Sequence, residues 1–145
     1  MVRAVLDTNV LVSALIRPSG PPGRIVDHLA RGGFELVLSP SILDELRRST
    51  RYPGVRKYIR LSDKELDLRM AQIDTIGDPV GGAVALHVPL RDPQDLLFVA
   101  AAVEGRADFI VTGDQDLLVL GEYQGIAVVT PRAFLDLLEA SATAR

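Results

Sequence analysis

Four short runs of apolar, mostly β-branched residues recur along the chain, at residues 2–6, 34–38, 109–111 and 126–129. Apolar residues at successive rather than alternate positions mark strands covered on both faces. Helical patterns separate these runs. Residues 10–16 and 23–31 read as two helices divided by Pro18-Ser19-Gly20-Pro21-Pro22, the second stopped at Gly32-Gly33. Ser39-Pro40 gives a cap followed by proline at the first helical position, opening a helix that runs through Leu46. Ser62 and Glu65 form a capping-box pattern before a helix to residue 76, with Leu66, Met70 and Ile73 on one face. Asp92-Pro93-Gln94-Asp95 opens an apolar helix over 96–103 that ends at Gly105, and Thr130-Pro131 opens a last one to residue 140. Residues 51–60 read as irregular or weakly helical and 77–82 as a loop, while 83–88 is a weaker fifth strand candidate. Strands alternating with helices predict an α/β domain around a mostly parallel sheet of four to five strands.

Composition narrows the chemistry. The 145 residues include no cysteine, which removes thiolate metal sites, disulfides and cysteine nucleophiles. No repeat or change of composition divides the chain, so residues 1–145 are expected to form one domain. Apolar runs fall short of the roughly 18 residues of a membrane span, and the opening Met1-Val2-Arg3-Ala4-Val5-Leu6-Asp7 is too short in apolar residues for a signal peptide core. A cytoplasmic protein is the expectation. The net charge of −3 argues against nucleic acid as a partner, because affinity for phosphate backbones comes mainly from Lys and Arg.

The placing of the acids changes that picture. Asp7 directly follows the first strand, and Asp114 and Asp116 lie just past the strand at 109–111, in Thr112-Gly113-Asp114-Gln115-Asp116. In an open α/β sheet the carboxyl ends of strands are where ligands bind. Glu45 lies about one turn into the helix after the second strand, and Asp95 lies at the start of the helix opened by Pro93. Each has a plain structural account on its own: Asp7 as a helix cap, Asp114 and Asp116 as turn residues, Glu45 as a first-turn acid and Asp95 as a third-position capping carboxylate. Together they bring four connections toward one sheet edge with no adjacent Lys or Arg at Asp7, Asp95 or Asp114. Like charges gathered without partners require a cation. All-oxygen ligands without cysteine or a nearby histidine favour Mg²⁺ or Mn²⁺ over zinc, and phosphodiester hydrolysis is the chemistry such a site serves. His28 and His87 are dispersed and read as helix-surface and strand residues.

These residues carry a resemblance. Val5-Leu6-Asp7-Thr8-Asn9-Val10-Leu11-Val12-Ser13-Ala14, the helix with Glu45, Asp92-Pro93-Gln94-Asp95-Leu96-Leu97-Phe98-Val99-Ala100-Ala101-Ala102, and Ala107-Asp108-Phe109-Ile110-Val111-Thr112-Gly113-Asp114-Gln115-Asp116-Leu117-Leu118 resemble the PIN-domain family in order. The likeness is to its bacterial branch of toxin components of toxin–antitoxin pairs, related to VapC. It implies a three-layer α/β/α sandwich whose acidic pocket binds one or two Mg²⁺ or Mn²⁺ ions and cuts RNA. It implies Asp7, Glu45, Asp95 and Asp114 as the catalytic, metal-holding acids, Asp116 as an additional metal ligand, and Asn9 and Thr112 as hydrogen-bonding supports. Asp92 and Asp44 are the neighbouring rivals of Asp95 and Glu45. It also implies a homodimer and a cognate antitoxin; core packing accounts for most of the apolar Leu11, Leu15, Ile25, Val26 and Leu29 on the early helices, and an interface or antitoxin groove is their second use.

Residues 47–60 contain Arg47, Arg48, Arg51, Arg56, Lys57 and Arg60 with no acid, and Tyr52 and Tyr58 between them. Such a stretch reads as a solvated basic face or as a rim that tracks single-stranded or structured RNA, with Arg47, Arg48, Arg51, Arg56 and Lys57 on phosphates. If the five acids form one pocket, 14 acids face 16 bases in the rest of the chain. The objection from net charge then weakens. A receiver-like or phosphatase domain is the alternative, but it would want a further acid beside Asp7, where Thr8-Asn9 stand. A silent RNA- or protein-binding module is the other.

Overall fold

The computed structural model describes residues 1–81, 86, 90 and 92–143. Its elements are β1 (Arg3–Leu6), α1 (Thr8–Ile16), α2 (Pro21–Ala30), β2 (Glu35–Leu38), α3 (Pro40–Arg51), α4 (Pro53–Arg56), α5 (Asp63–Ile76) and β3 (Asp78–Pro79). After these come α6 (Pro93–Glu104), β4 (Phe109–Val111), α7 (Gln115–Leu120), β5 (Glu122–Tyr123), β6 (Ile126–Val129) and α8 (Pro131–Thr143). The sheet runs β3-β2-β1-β4-β6-β5, all pairs parallel except the β5–β6 hairpin. It therefore has six strands rather than four or five. The two additions, β3 and β5, are two-residue edge pieces, too short to carry a period. The candidate strand at 83–88, with His87, lies outside the described residues apart from Leu86, which has no regular structure.

Each face of the sheet carries its own core, which makes the predicted three layers. Ala4 and Leu6 of β1 pack with Leu11 and Ile25 of α1 and α2, Leu66 and Met70 of α5, and Phe134 of α8. Val5 points the other way, into a cluster with Val37, Phe98 and Val99 of α6 and Leu117 of α7. Phe134 is fully buried and meets Phe34 and Phe109 edge-on, with ring centres 5.1 Å and 5.6 Å away. α3 joins both cores, placing Leu46 in the first and Ile42 and Leu43 in the second.

Proline and glycine set the connections. Gly32, at φ 76°, takes the left-handed turn that stops α2. Gly105 ends α6 for a different reason: its φ is −82°, but a Cβ there would stand 2.4 Å from Cγ1 of Val37. Only a hydrogen fits between α6 and β2. At the amino edge of the sheet, Arg3 ties neighbouring strands together. Its guanidinium pairs with Glu35 at 2.6 Å and Asp78 at 2.8 Å and donates to the Gly105 carbonyl, while its amide donates to the Asp108 carboxylate.

A carboxylate pocket at the strand-order switch

Strand order reverses beside β1, because the chain builds β2 and β3 on one side of it and then returns to place β4 on the other. The crevice at such a reversal, beyond the carboxyl ends of the strands, is where open α/β sheets bind ligands. Leu6 pairs in register with Val111, so Asp7 and Thr112 leave the sheet side by side. The Asp7 amide still donates to the Val111 carbonyl at 3.0 Å.

Asp7 caps α1. Its Oδ1 accepts from the Asn9 amide at 3.0 Å and its Oδ2 accepts from the Thr112 hydroxyl at 2.7 Å. The same hydroxyl oxygen of Thr112 accepts from the Asp114 amide at 3.0 Å. Thr112, fully buried, is thus a clip between two of the predicted acids. Asn9 acts through its backbone N–H, with its side chain exposed. Asp114 caps α7 by accepting from the Asp116 amide at 2.9 Å. Asp95 stands third in α6 with Asp92 as the cap: Asp92 is exposed and accepts from the Gln94 amide, whereas Asp95 is buried. The helix phase separates the other rivals in the same way, leaving Asp44 exposed and Glu45 half-buried.

Carboxylate oxygens of Asp95, Asp114 and Asp116 all lie within 4.8 Å of one another. Asp7 and Glu45 fall outside that trio but share its field. Burial raises the Asp7 carboxyl above the ordinary aspartate range, and the charge of Asp114 adds to this against the hydrogen bonds from Thr112 and Asn9. Burial also raises Glu45, with Asp7 and Asp92 adding repulsion and Arg48 opposing it. Asp95 is pushed up to about 7, by burial first and then by the charges of Asp114, Asp92 and Asp7 and a hydrogen bond shared with Asp114. Nothing basic lies within ion-pair distance of these acids among the described residues, although six ion pairs form elsewhere.

Among the described residues three buried side-chain oxygens lack any hydrogen-bond partner: Oε2 of Glu45, Oδ2 of Asp95 and Oγ1 of Thr8. Buried acceptors are almost always satisfied, so two orphaned carboxylate oxygens on acids already raised by mutual repulsion fit a hard cation. Thr8 had no role in the sequence reading. Its position one residue after Asp7, inside the first turn of α1, was the available signal.

The basic stretch divides on inspection. Arg48 and Arg51 are exposed on α3 and Arg47 is half-buried. Arg51 reaches Asp67 at 3.4 Å. Arg56 turns inward, donating to the Ile59 and Leu61 carbonyls and pairing with Asp63, so it holds the α4–α5 connection instead of facing outward. Lys57 lies 5.1 Å from the centre of the Tyr58 ring.

A family model described as "PIN domain" matches residues 3–116, most of the chain and all of the acidic positions. The chain belongs to the PIN-domain family. This PIN domain is 32% identical over 146 residues to "Uncharacterized protein MJ1680" of Methanocaldococcus jannaschii, covering 95% of this chain and 92% of that protein. Its fold is similar to the crystal structure of VapBC2 from Rickettsia felis bound to a DNA fragment from their promoter. That match has a TM-score of 0.55 at 17% identity and covers 88% of this chain and 98% of that one. The PIN-like α/β/α sandwich expected from the sequence is therefore the fold observed. No helix among the described residues is long and apolar enough to cross a membrane.

Proposed function

We propose that this PIN domain is a metal-dependent ribonuclease, the toxin of a toxin–antitoxin pair. The observation that carries the reading is the grouping of Asp95, Asp114 and Asp116 within the field of Asp7 and Glu45 at the strand-order switch, with buried carboxylate oxygens of Glu45 and Asp95 left without partners. Asp95, Asp114 and Asp116 would hold a first Mg²⁺ or Mn²⁺ ion, with Asp7 and Glu45 completing the pocket. When bound, the cation supplies an activated water and neutralises charge on the phosphate.

The protein's own part is positioning. Thr112 fixes Asp7 and Asp114 relative to each other, so both carboxylates are set before any ligand arrives. The first turns of α1 and α6 aim their positive ends at the same crevice, which offsets part of the clustered negative charge. Water as the nucleophile would leave 5′-phosphate and 3′-hydroxyl ends. Incubation of the purified protein with single-stranded RNA tests the reading. Cleavage in Mg²⁺ or Mn²⁺ that EDTA stops and Asp7→Asn abolishes supports it, and equal cleavage by Asp7→Asn refutes it.

The partner side of the reading rests on the likeness to VapBC2 and on an apolar groove of about 1020 Å³ between α1, α2 and α5. Leu11, Leu15, Val26 and Ile73 line it, and Leu68 and Ile76 stand 58% and 44% exposed at its rim. We assign this groove to the antitoxin. Two copies of the chain are expected to pair as well, which light scattering on the purified protein would measure.

A further inference from the structure

We propose that the stripe Glu45–Arg48–Tyr52 along α3 is the track on which unpaired RNA leaves the carboxylate pocket, Arg48 taking the next phosphate and Tyr52 stacking on a base. The inference rests on the ribonuclease reading and adds to it the strand state of the substrate and the residues that select it. Positions 45 and 48 lie three apart on one face of α3, and Tyr52, four residues on, is the residue that caps the carboxyl end of the helix. At 1.5 Å per residue the stripe carries the substrate about 10 Å from the acids. Its inner end is the half-buried Glu45, and its middle is Arg48, the cation whose field reaches the Glu45 carboxylate. Arg48 is exposed and makes no ion pair within 4.0 Å among the described residues, in contrast to Arg51 and Arg56.

The outer end is an aromatic ring held out in water. Tyr52 is 60% exposed, and its side chain makes no hydrogen bond among the described residues. Its backbone is nevertheless rigid. Pro53 follows it and restricts it to the extended conformation seen, φ −62° and ψ 131°. Its carbonyl accepts from the Val55 and Arg56 amides at 2.9 Å and 2.7 Å, and the inward turn of Arg56 locks the segment beyond. A ring presented on a fixed backbone loses little freedom on stacking, which suits it to a base that is not already paired.

The test measures binding apart from cleavage. Full-length protein carrying Asp7→Asn is titrated in Mg²⁺ and increasing KCl against a fluorescein-labelled uridine-rich single strand of about 12 nucleotides, and against a hairpin duplex. Tyr52→Ala is expected to weaken single-strand binding about tenfold while leaving duplex binding unchanged, and Tyr52→Trp to restore it. Arg48→Ala is expected to flatten the salt dependence of single-strand affinity by about 0.7 in the log–log slope, with Arg132→Ala on α8 as the comparison. Unchanged affinity in Tyr52→Ala, an equal loss on single strand and duplex, failure of Tyr52→Trp to restore binding, or no change of slope in Arg48→Ala overturns the proposal. The two readings fail separately. RNA held on this stripe but never cut by the chain with native Asp7 overturns the ribonuclease reading alone, whereas Asp7-dependent cleavage with no effect of Tyr52→Ala on binding overturns the track alone.

Discussion

Removing one of the pocket's charges should make the metal-free protein more stable. Asp95 is buried beside Asp7, Asp92 and Asp114, and its carboxyl is raised from 3.8 to about 7. In the folded chain the proton stays on Asp95 until neutral pH, and in the unfolded chain it leaves near the ordinary aspartate value. Between those two values the folded state binds more protons than the unfolded one, so stability falls as pH rises through the window. The loss approaches about 1.4 kcal/mol per pH unit and totals about 4 kcal/mol above pH 7. Asp95→Asn keeps the shape of the protonated acid and avoids the loss. Its amide needs new partners in a buried site, an offset of about 1–2 kcal/mol, which leaves a gain of about 2 kcal/mol near pH 8. For a domain of this length that gain raises Tm by about 4–8 °C. Near pH 5 most of the wild-type advantage of a neutral carboxyl is intact, and the variant should be equal or slightly weaker there. Urea and thermal unfolding after EDTA treatment, at both pH values, measures the difference. Saturating Mn²⁺ should stabilise the wild type by about 3 kcal/mol at a hundred times its Kd and the variant far less. A variant weaker than wild type by the same amount at pH 5 and pH 8 would refute the reasoning, because the site would then be an ordinary hydrogen-bonded one.

Three further outcomes follow from the geometry. Thr112→Val keeps the volume but leaves Asp7 Oδ2 and the Asp114 amide unpaired, so urea melts should show a loss of about 2–4 kcal/mol; the Thr112 bond lowers the Asp7 carboxyl, so the acidic limb of RNA cleavage against pH should move upward. Divalent metal binding near pH 6 should displace the proton held by Asp95, which calorimetry in buffers of different ionisation enthalpy detects and which should vanish near pH 8.5. Gly105→Ala forces a Cβ to 2.4 Å from Val37, and the overpacking should cost about 1–3 kcal/mol in thermal or urea unfolding, with fully retained stability the contrary result.

Much of this architecture is legible in the chain because its signals are local. The four longer strands carry apolar residues on successive positions, the capping box at Ser62 fixes the start of α5, and proline marks the first turns of α3, α6 and α8. Asp7 and Asp114 were legible for a related reason: Asp7 follows its strand directly and Asp114 stands three residues past the end of its own, and the carboxyl end of a strand is a defined place. Features that depend on tertiary contact were not. The Asp78–Pro79 strand exists only because β2 offers it an edge, and α7 hides behind a polar turn that reads as loop. Choosing Glu45 over Asp44 needed the resemblance, since either could be presented by a helix whose phase was uncertain. The inward turn of Arg56 depends on carbonyls of Ile59 and Leu61 that only the folded connection presents, so six bases in a row of fourteen looked more uniform than they are.

The arginine at the opposite end of the sheet bears on the order in which the molecule becomes complete. Arg3 draws Glu35 and Asp78 of the amino edge into ion pairs within the chain, so part of the charge at that end is offset by the protein itself. The carboxyl edge is left unbalanced, yet Asp7 and Asp114 are anchored there by hydrogen bonds with backbone amides and one threonine. On the ribonuclease reading, assembly and arming would be divided between the two ends of the same strands: the chain would reach its final shape without divalent ions and be switched on by ion supply without refolding.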